Sequence, residues 1–114
     1  MPYVQIRTSC PLKQEQVEAL RASAADKIGL LPGKTVDGLM TEIIPDCRLS
    51  LGASTGEGCA FVEVLINNEL EEADLKAYSK HLCETVETVS GIASSRVYVV
   101  HRSVRNWHSG RQFL

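Results

Sequence analysis

At 114 residues, with 44% hydrophobic and 23% charged side chains, the chain has the composition of one globular domain around a single core. A formal net charge of -2 excludes nucleic-acid binding driven by a basic surface, and Arg102, Arg105 and Arg111 near the end are too few to reverse that. No apolar run approaches the ~18 residues of a membrane span, and the amino end lacks the basic-then-apolar order of a signal peptide. The expected location is therefore the cytosol, with any export by a leaderless route.

The first strand is expected over Tyr3 to Thr8, where bulky apolar and polar residues alternate. Pro2 stands at its first position, one of the few places a sheet tolerates proline. If Met1 is removed, Pro2 becomes the amino terminus and its nitrogen a secondary amine. An α-amino group titrates near roughly 7.7–8.0. Lowering that by about two units would raise its neutral fraction at neutral pH from roughly 10% to roughly 90%. Such an amine could act as a general base, although a second-position proline alone also arises by chance.

Ser9-Cys10-Pro11 signals a helix start. Val17, Leu20, Ala24 and Ile28 then form one apolar stripe of a helix expected over 12–29. Gly29 and Pro32-Gly33 end it, and a second strand is expected over 38–44, stopped by Pro45-Asp46. The 49–58 segment carries Gly52, Gly56 and Gly58 with Ser50, Ser54 and Thr55. A strand rather than a helix follows it, so it reads as a connection and not as a phosphate-binding loop.

The third strand, expected over Cys59 to Ile66, is nearly continuous in apolar residues, as in a strand covered on both faces. Asn67-Asn68 ends it. A second helix is expected from Glu71 to Ser90, its stripe formed by Leu75, Tyr78, Leu82, Val86 and Val89, with Gly91 as its cap. Tyr78 lies on that stripe and reads as packing. A fourth strand is expected over 96–102, and a short one in the tail that carries Trp107 and Phe113. Cys10, Cys47, Cys59 and Cys83 show no zinc-finger spacing, so free thiols are expected and no metal or cofactor.

Strands expected to begin near 2 and 38, and again near 60 and 96, repeat one interval, and each interval holds one helix. The fold implied is an α+β sandwich: two β-α-β units form a four-stranded sheet with two helices on one face, as a single domain over 1–114. One sheet face then lacks helical cover. Further copies of the chain are expected to cover it.

With these elements in place, the chain resembles the macrophage migration inhibitory factor branch of the tautomerase superfamily. The resemblance rests on Met1-Pro2 with Thr8 and Pro11, Gly33-Lys34 followed by Pro45-Asp46, and the glycine-containing loop before Cys59-Ala60. It extends to Tyr78-Ser79-Lys80, Arg96-Val97-Tyr98 and the terminal Phe113. It implies a homotrimer with active sites between subunits, and a keto–enol tautomerase acting on a small aromatic α-keto acid such as phenylpyruvate, with dopachrome as a further substrate.

Under that resemblance Pro2 is the catalytic base and Lys34 binds the substrate carboxylate. Ile66 and Asn67 border the site as substrate-binding residues, Asn67 through its backbone N–H, and Tyr98 reaches it from a neighbouring subunit. Trp107 or His108, with Phe113, would supply an aromatic wall. Without the resemblance, Lys34 would read as a solvated lysine after a turn glycine and Tyr98 as a core residue. Val100 stands where many members carry a substrate-binding asparagine, and Asn67 where they usually carry isoleucine. Val62 replaces the second cysteine of a C-x-x-C pair, so no thiol–disulfide activity is implied. Losing one hydrogen bond to a charged group costs about 1.5–3 kcal/mol, so turnover below that of typical members is expected. The resemblance equally implies a second function, a secreted signalling protein that binds a receptor and keeps a weak tautomerase site. Decarboxylation or dehalogenation on the same fold would need polar pocket groups that the sequence does not locate.

Overall fold

The computed structural model describes residues 1–54 and 56–113; Thr55 of the expected loop, and Leu114, lie outside the described residues. Strand β1 (Tyr3–Thr8) leads to helix α1 (Gln14–Asp26) and strand β2 (Met40–Ile44). Strand β3 (Ala60–Ile66) leads to helix α2 (Glu72–Ser90) and strand β4 (Val97–Ser103). The four strands form one sheet in the order β2-β1-β3-β4. Within each unit the strands run parallel, and the two units meet antiparallel through β1 and β3. The expected sandwich of duplicated β-α-β units is the fold observed.

One face of the sheet packs on the helices. Val4, Ile6, Val62, Val64 and Ile66 are fully buried there against Leu20, Ala24, Leu82 and Val86. Each large aliphatic side chain buried in this way contributes roughly 1.5–3 kcal/mol. Tyr78 seals the helix pair: its ring is fully buried and its hydroxyl donates to the Ala24 carbonyl at 2.7 Å.

Several local details differ from the sequence expectation. Helix α1 begins at Gln14 rather than near 12, because the Gln16 side-chain oxygen accepts the Lys13 backbone N–H at 2.7 Å and sets the start there. It ends at Asp26, and Ile28–Leu30 form a separate tight turn that buries Ile28. Strand β2 starts at Met40 because Val36–Gly38 close another such turn before it. Strand β3 is not apolar on both faces in any simple sense. Ala60, Val62, Val64 and Ile66 alternate with half-buried Phe61, Glu63 and Leu65, and Glu63 pairs with Arg102 at 3.0 Å. The charge in mid-strand is accommodated because that face carries no helix.

Helix α2 ends where expected, on Gly91, whose φ of 81° is the left-handed value that a helix cap requires. The tail forms a small hairpin, β5 (His108–Ser109) with β6 (Gln112–Phe113), through the two-residue turn Gly110-Arg111. Gly110 supplies the positive φ, 56°, on which such turns depend.

Candidate active site at the amino end of the sheet

The register of the sheet assembles the site. Pairing of Tyr3 with both Met40 and Leu65 brings Met1-Pro2 beside the end of β3 and the start of β2. The Pro2 carbonyl accepts the Met40 N–H at 3.0 Å, and Pro2 is fully buried. The hairpin of the tail folds back over this corner. A cleft of about 420 Å³ results, walled by Met1, Pro2, Tyr3, Met40, Leu65 and Trp107, with His108 at its edge.

Lys34 arrives from the turn that follows α1, where its N–H donates to the Leu31 carbonyl at 3.0 Å and Gly33 takes a φ of 78°. Its ammonium donates to Asn67 Oδ1 at 2.8 Å and to Asn68 Oδ1 at 2.5 Å. The Met1 amine donates to the same Asn67 oxygen at 3.2 Å. Two cationic nitrogens thus share one acceptor. Burial holds the proton affinity of the terminal amine below its ordinary value, and the neighbouring Lys34 charge lowers it further.

The expected site residues therefore separate into two groups. Pro2, Lys34, Asn67 and Trp107 converge on the amino end of the sheet. Ile66 joins them only through its backbone: its side chain points into the helix-facing core, while its carbonyl accepts the Val104 N–H at 2.7 Å. Tyr98 and Val100 are elsewhere in the single chain. Arg102, not Tyr98, pairs with Leu65, so Tyr98 lies four residues back along β4, about 13 Å at ~3.3 Å per residue. Tyr98 is 56% exposed and Val100 36% exposed, both on the face without helices. Tyr98 borders a separate small cavity of about 70 Å³ with Leu51, Phe61 and Arg96. Phe113 is 65% exposed and lies near His108, with ring centroids 6.4 Å apart.

Sequence reasoning missed Asn68, which it read only as a strand terminator, and missed Met40 and Leu65 as cleft walls. Two adjacent asparagines directly after a strand that pairs with the chain's first strand were the available signal for Asn68. Arg96, a residue of the resemblance, anchors the loop: it donates to the Gly58 carbonyl at 2.8 Å and pairs with Glu57 at 3.3 Å. Among the described residues there is no group of three His, Cys, Asp or Glu placed to hold a metal ion.

Comparison with known proteins agrees with this architecture. The macrophage migration inhibitory factor of Xenopus laevis is 26% identical over 99 residues, covering 87% of this chain and 84% of its own. The crystal structure of MIF2 from Leishmania major superposes with a TM-score of 0.92 at 23% identity, covering 100% of this chain and 97% of that one. A more distant structure, of the protein Pt0534 inactivated by 2-oxo-3-pentynoate, has a TM-score of 0.76 at 19% identity, covering 90% and 85%. The family model described as macrophage migration inhibitory factor matches residues 1–112. With almost the whole chain matched by the family model, this protein belongs to the macrophage migration inhibitory factor family.

Proposed function

We propose that the protein is a keto–enol tautomerase of phenylpyruvate-like α-keto acids, with Pro2 as the general base after removal of Met1. The observation that carries this reading is that the Met1 amine, one residue from Pro2, shares the Asn67 oxygen with the Lys34 ammonium at the corner where Met1 and Pro2 wall an apolar cleft. Lys34 attracts the substrate carboxylate. The neutral Pro2 amine takes a proton from the carbon beside the keto group, the C–H electron pair forms the C=C bond, and the carbonyl pair passes to oxygen. Transfer of that proton from the Pro2 ammonium to the oxygen gives the enol and restores the neutral amine. Trp107 and Leu65 supply the apolar surface for an aromatic substituent.

The active form in this reading is a homotrimer, in which Tyr98 and Val100 on the helix-free face reach a neighbouring subunit's cleft. That a 2-oxo acid, 2-oxo-3-pentynoate, inactivates the structural neighbour Pt0534 supports a 2-oxo acid as the substrate class here. The enzymatic reading is preferred to receptor signalling because it accounts for the placement of the amine and the lysine together.

The test is turnover of phenylpyruvate by protein whose mature amino terminus has been verified by mass spectrometry. Processed protein should turn over the substrate, and protein retaining Met1 should not, since its Pro2 nitrogen is an amide. Pro2→Gly, likewise processed, should lose about 10²-fold or more. Equal rates for the processed and Met1-bearing proteins would refute Pro2 as the base.

A further inference from the structure

We propose that Asn67 and Asn68 are positioning residues, whose side-chain oxygens hold the Lys34 ammonium beside the amino end of the chain while leaving its charge intact. An ammonium has three protons and no acceptor. Asn67 Oδ1 takes one proton of Lys34 at 2.8 Å and Asn68 Oδ1 another at 2.5 Å, so one donor remains for an anion. The four-carbon lysine stem is otherwise free to sample many rotamers from its loop. Two hydrogen bonds from adjacent residues confine it to one place.

The turn that carries both asparagines is itself anchored. Ser103 Oγ donates to the Asn68 carbonyl at 3.2 Å, and Val104 N–H donates to the Ile66 carbonyl at 2.7 Å, so β4 fixes the segment from one side. On the other side, Asn67 Oδ1 accepts the terminal amine at 3.2 Å. The orientation of the Asn67 amide follows from charge: its oxygen must face the two cations, because the NH₂ group turned that way would be repelled by both.

The chemical choice of amide is the informative point. A carboxylate in this position would hold Lys34 at least as firmly, but would neutralise it and repel an anionic substrate. An amide oxygen orients the cation and leaves its full charge for the ligand. The site is thereby suited to a monoanion held by one directed N–H donor. This kinetic consequence rests on the enzymatic reading above; the holding of Lys34 does not.

The two can be tested separately. Proton exchange at Lys34 Nζ, followed by ¹⁵N NMR, should be slow relative to exposed Lys27 in the unmodified protein. Asn67→Leu should bring Lys34 exchange close to that of Lys27 and raise KM for phenylpyruvate about tenfold, the scale of one charge-assisted hydrogen bond. Asn67→Asp should keep exchange slow yet still raise KM, a split that a purely structural role would not produce. Should Asn67→Leu fail to fold, Asn68→Ala at an exposed position decides the question in the same way. Lys34 exchanging as fast as Lys27 in the unmodified protein, or unchanged exchange in the folded Asn67→Leu or Asn68→Ala variants, overturns the proposal. If exchange responds as expected but the processed protein does not act on phenylpyruvate, the positioning role stands and the enzymatic reading falls.

Discussion

Replacing Lys34 with Met removes a charge while keeping most of the side chain's length, and the structure sets two separate consequences. The substrate carboxylate loses a charge-assisted partner worth about 1.5–3 kcal/mol, so kcat/KM should fall by roughly 10- to 100-fold. Lys34 also lies near the Met1 amine, whose proton affinity its charge lowers after burial has done so, and the same influence is expected on the Pro2 amine of the processed protein. Without it the amine holds its proton to higher pH. The base works only when neutral, so the acidic limb of the pH profile should move upward, while the plateau above it keeps the loss from substrate binding. Because Lys34 is only half-buried and its partners are neutral amides, little change in stability is expected. The assay is enolisation of phenylpyruvate by processed protein, followed by absorbance from roughly pH 5 to 9. Lys34→Arg keeps the charge and should shift the acidic limb less than Lys34→Met does. An unchanged KM together with an unchanged acidic limb in folded Lys34→Met would refute both the carboxylate contact and the influence on the amine.

Val100→Asn places an amide on the helix-free face, where a 36% exposed position lets it remain hydrated. Turnover efficiency should rise by about tenfold, the lower end of the value of a hydrogen bond to a charged group, and no gain in a folded variant would mean that Val100 does not meet substrate. Tyr78→Phe leaves the ring in the core but removes the donor to Ala24, so denaturant titration should show a loss of about 1–2 kcal/mol; an unchanged midpoint would show that this bond adds nothing net. Sedimentation equilibrium at micromolar concentration should give three times the 12.5 kDa chain mass. A stable monomer would remove the route by which Tyr98 and Val100 reach a cleft.

Much of the fold is legible in local patterning, because burial imposes a period. The stripes Val17-Leu20-Ala24 and Tyr78-Leu82-Val86 specify helices with one apolar side, and the alternation from Tyr3 to Thr8 specifies a strand with one. Gly91 marks its helix end through a backbone conformation that other residues rarely adopt. Pro2 could be read from the sequence as a chain-end amine, whereas Lys34 gained an anion-binding role only from the resemblance. What tertiary structure decided was which distant residues meet. Asn68 looked only like a strand terminator, and Asn67 a site residue through its backbone, until the β1–β3 register set both side chains against Lys34 and Asn67 against Met1 as well. Glu63, a charge within an otherwise apolar strand, gains Arg102 as its partner only through the β3–β4 pairing. Tyr98, read as reaching the site from a neighbouring subunit, lies about 13 Å along its strand from Arg102, the partner of Leu65, at ~3.3 Å per residue, and so does not line the cleft of its own chain. Periodicity reports the side on which a residue is buried. Register between strands far apart in sequence determines its neighbours, and no local pattern encodes that.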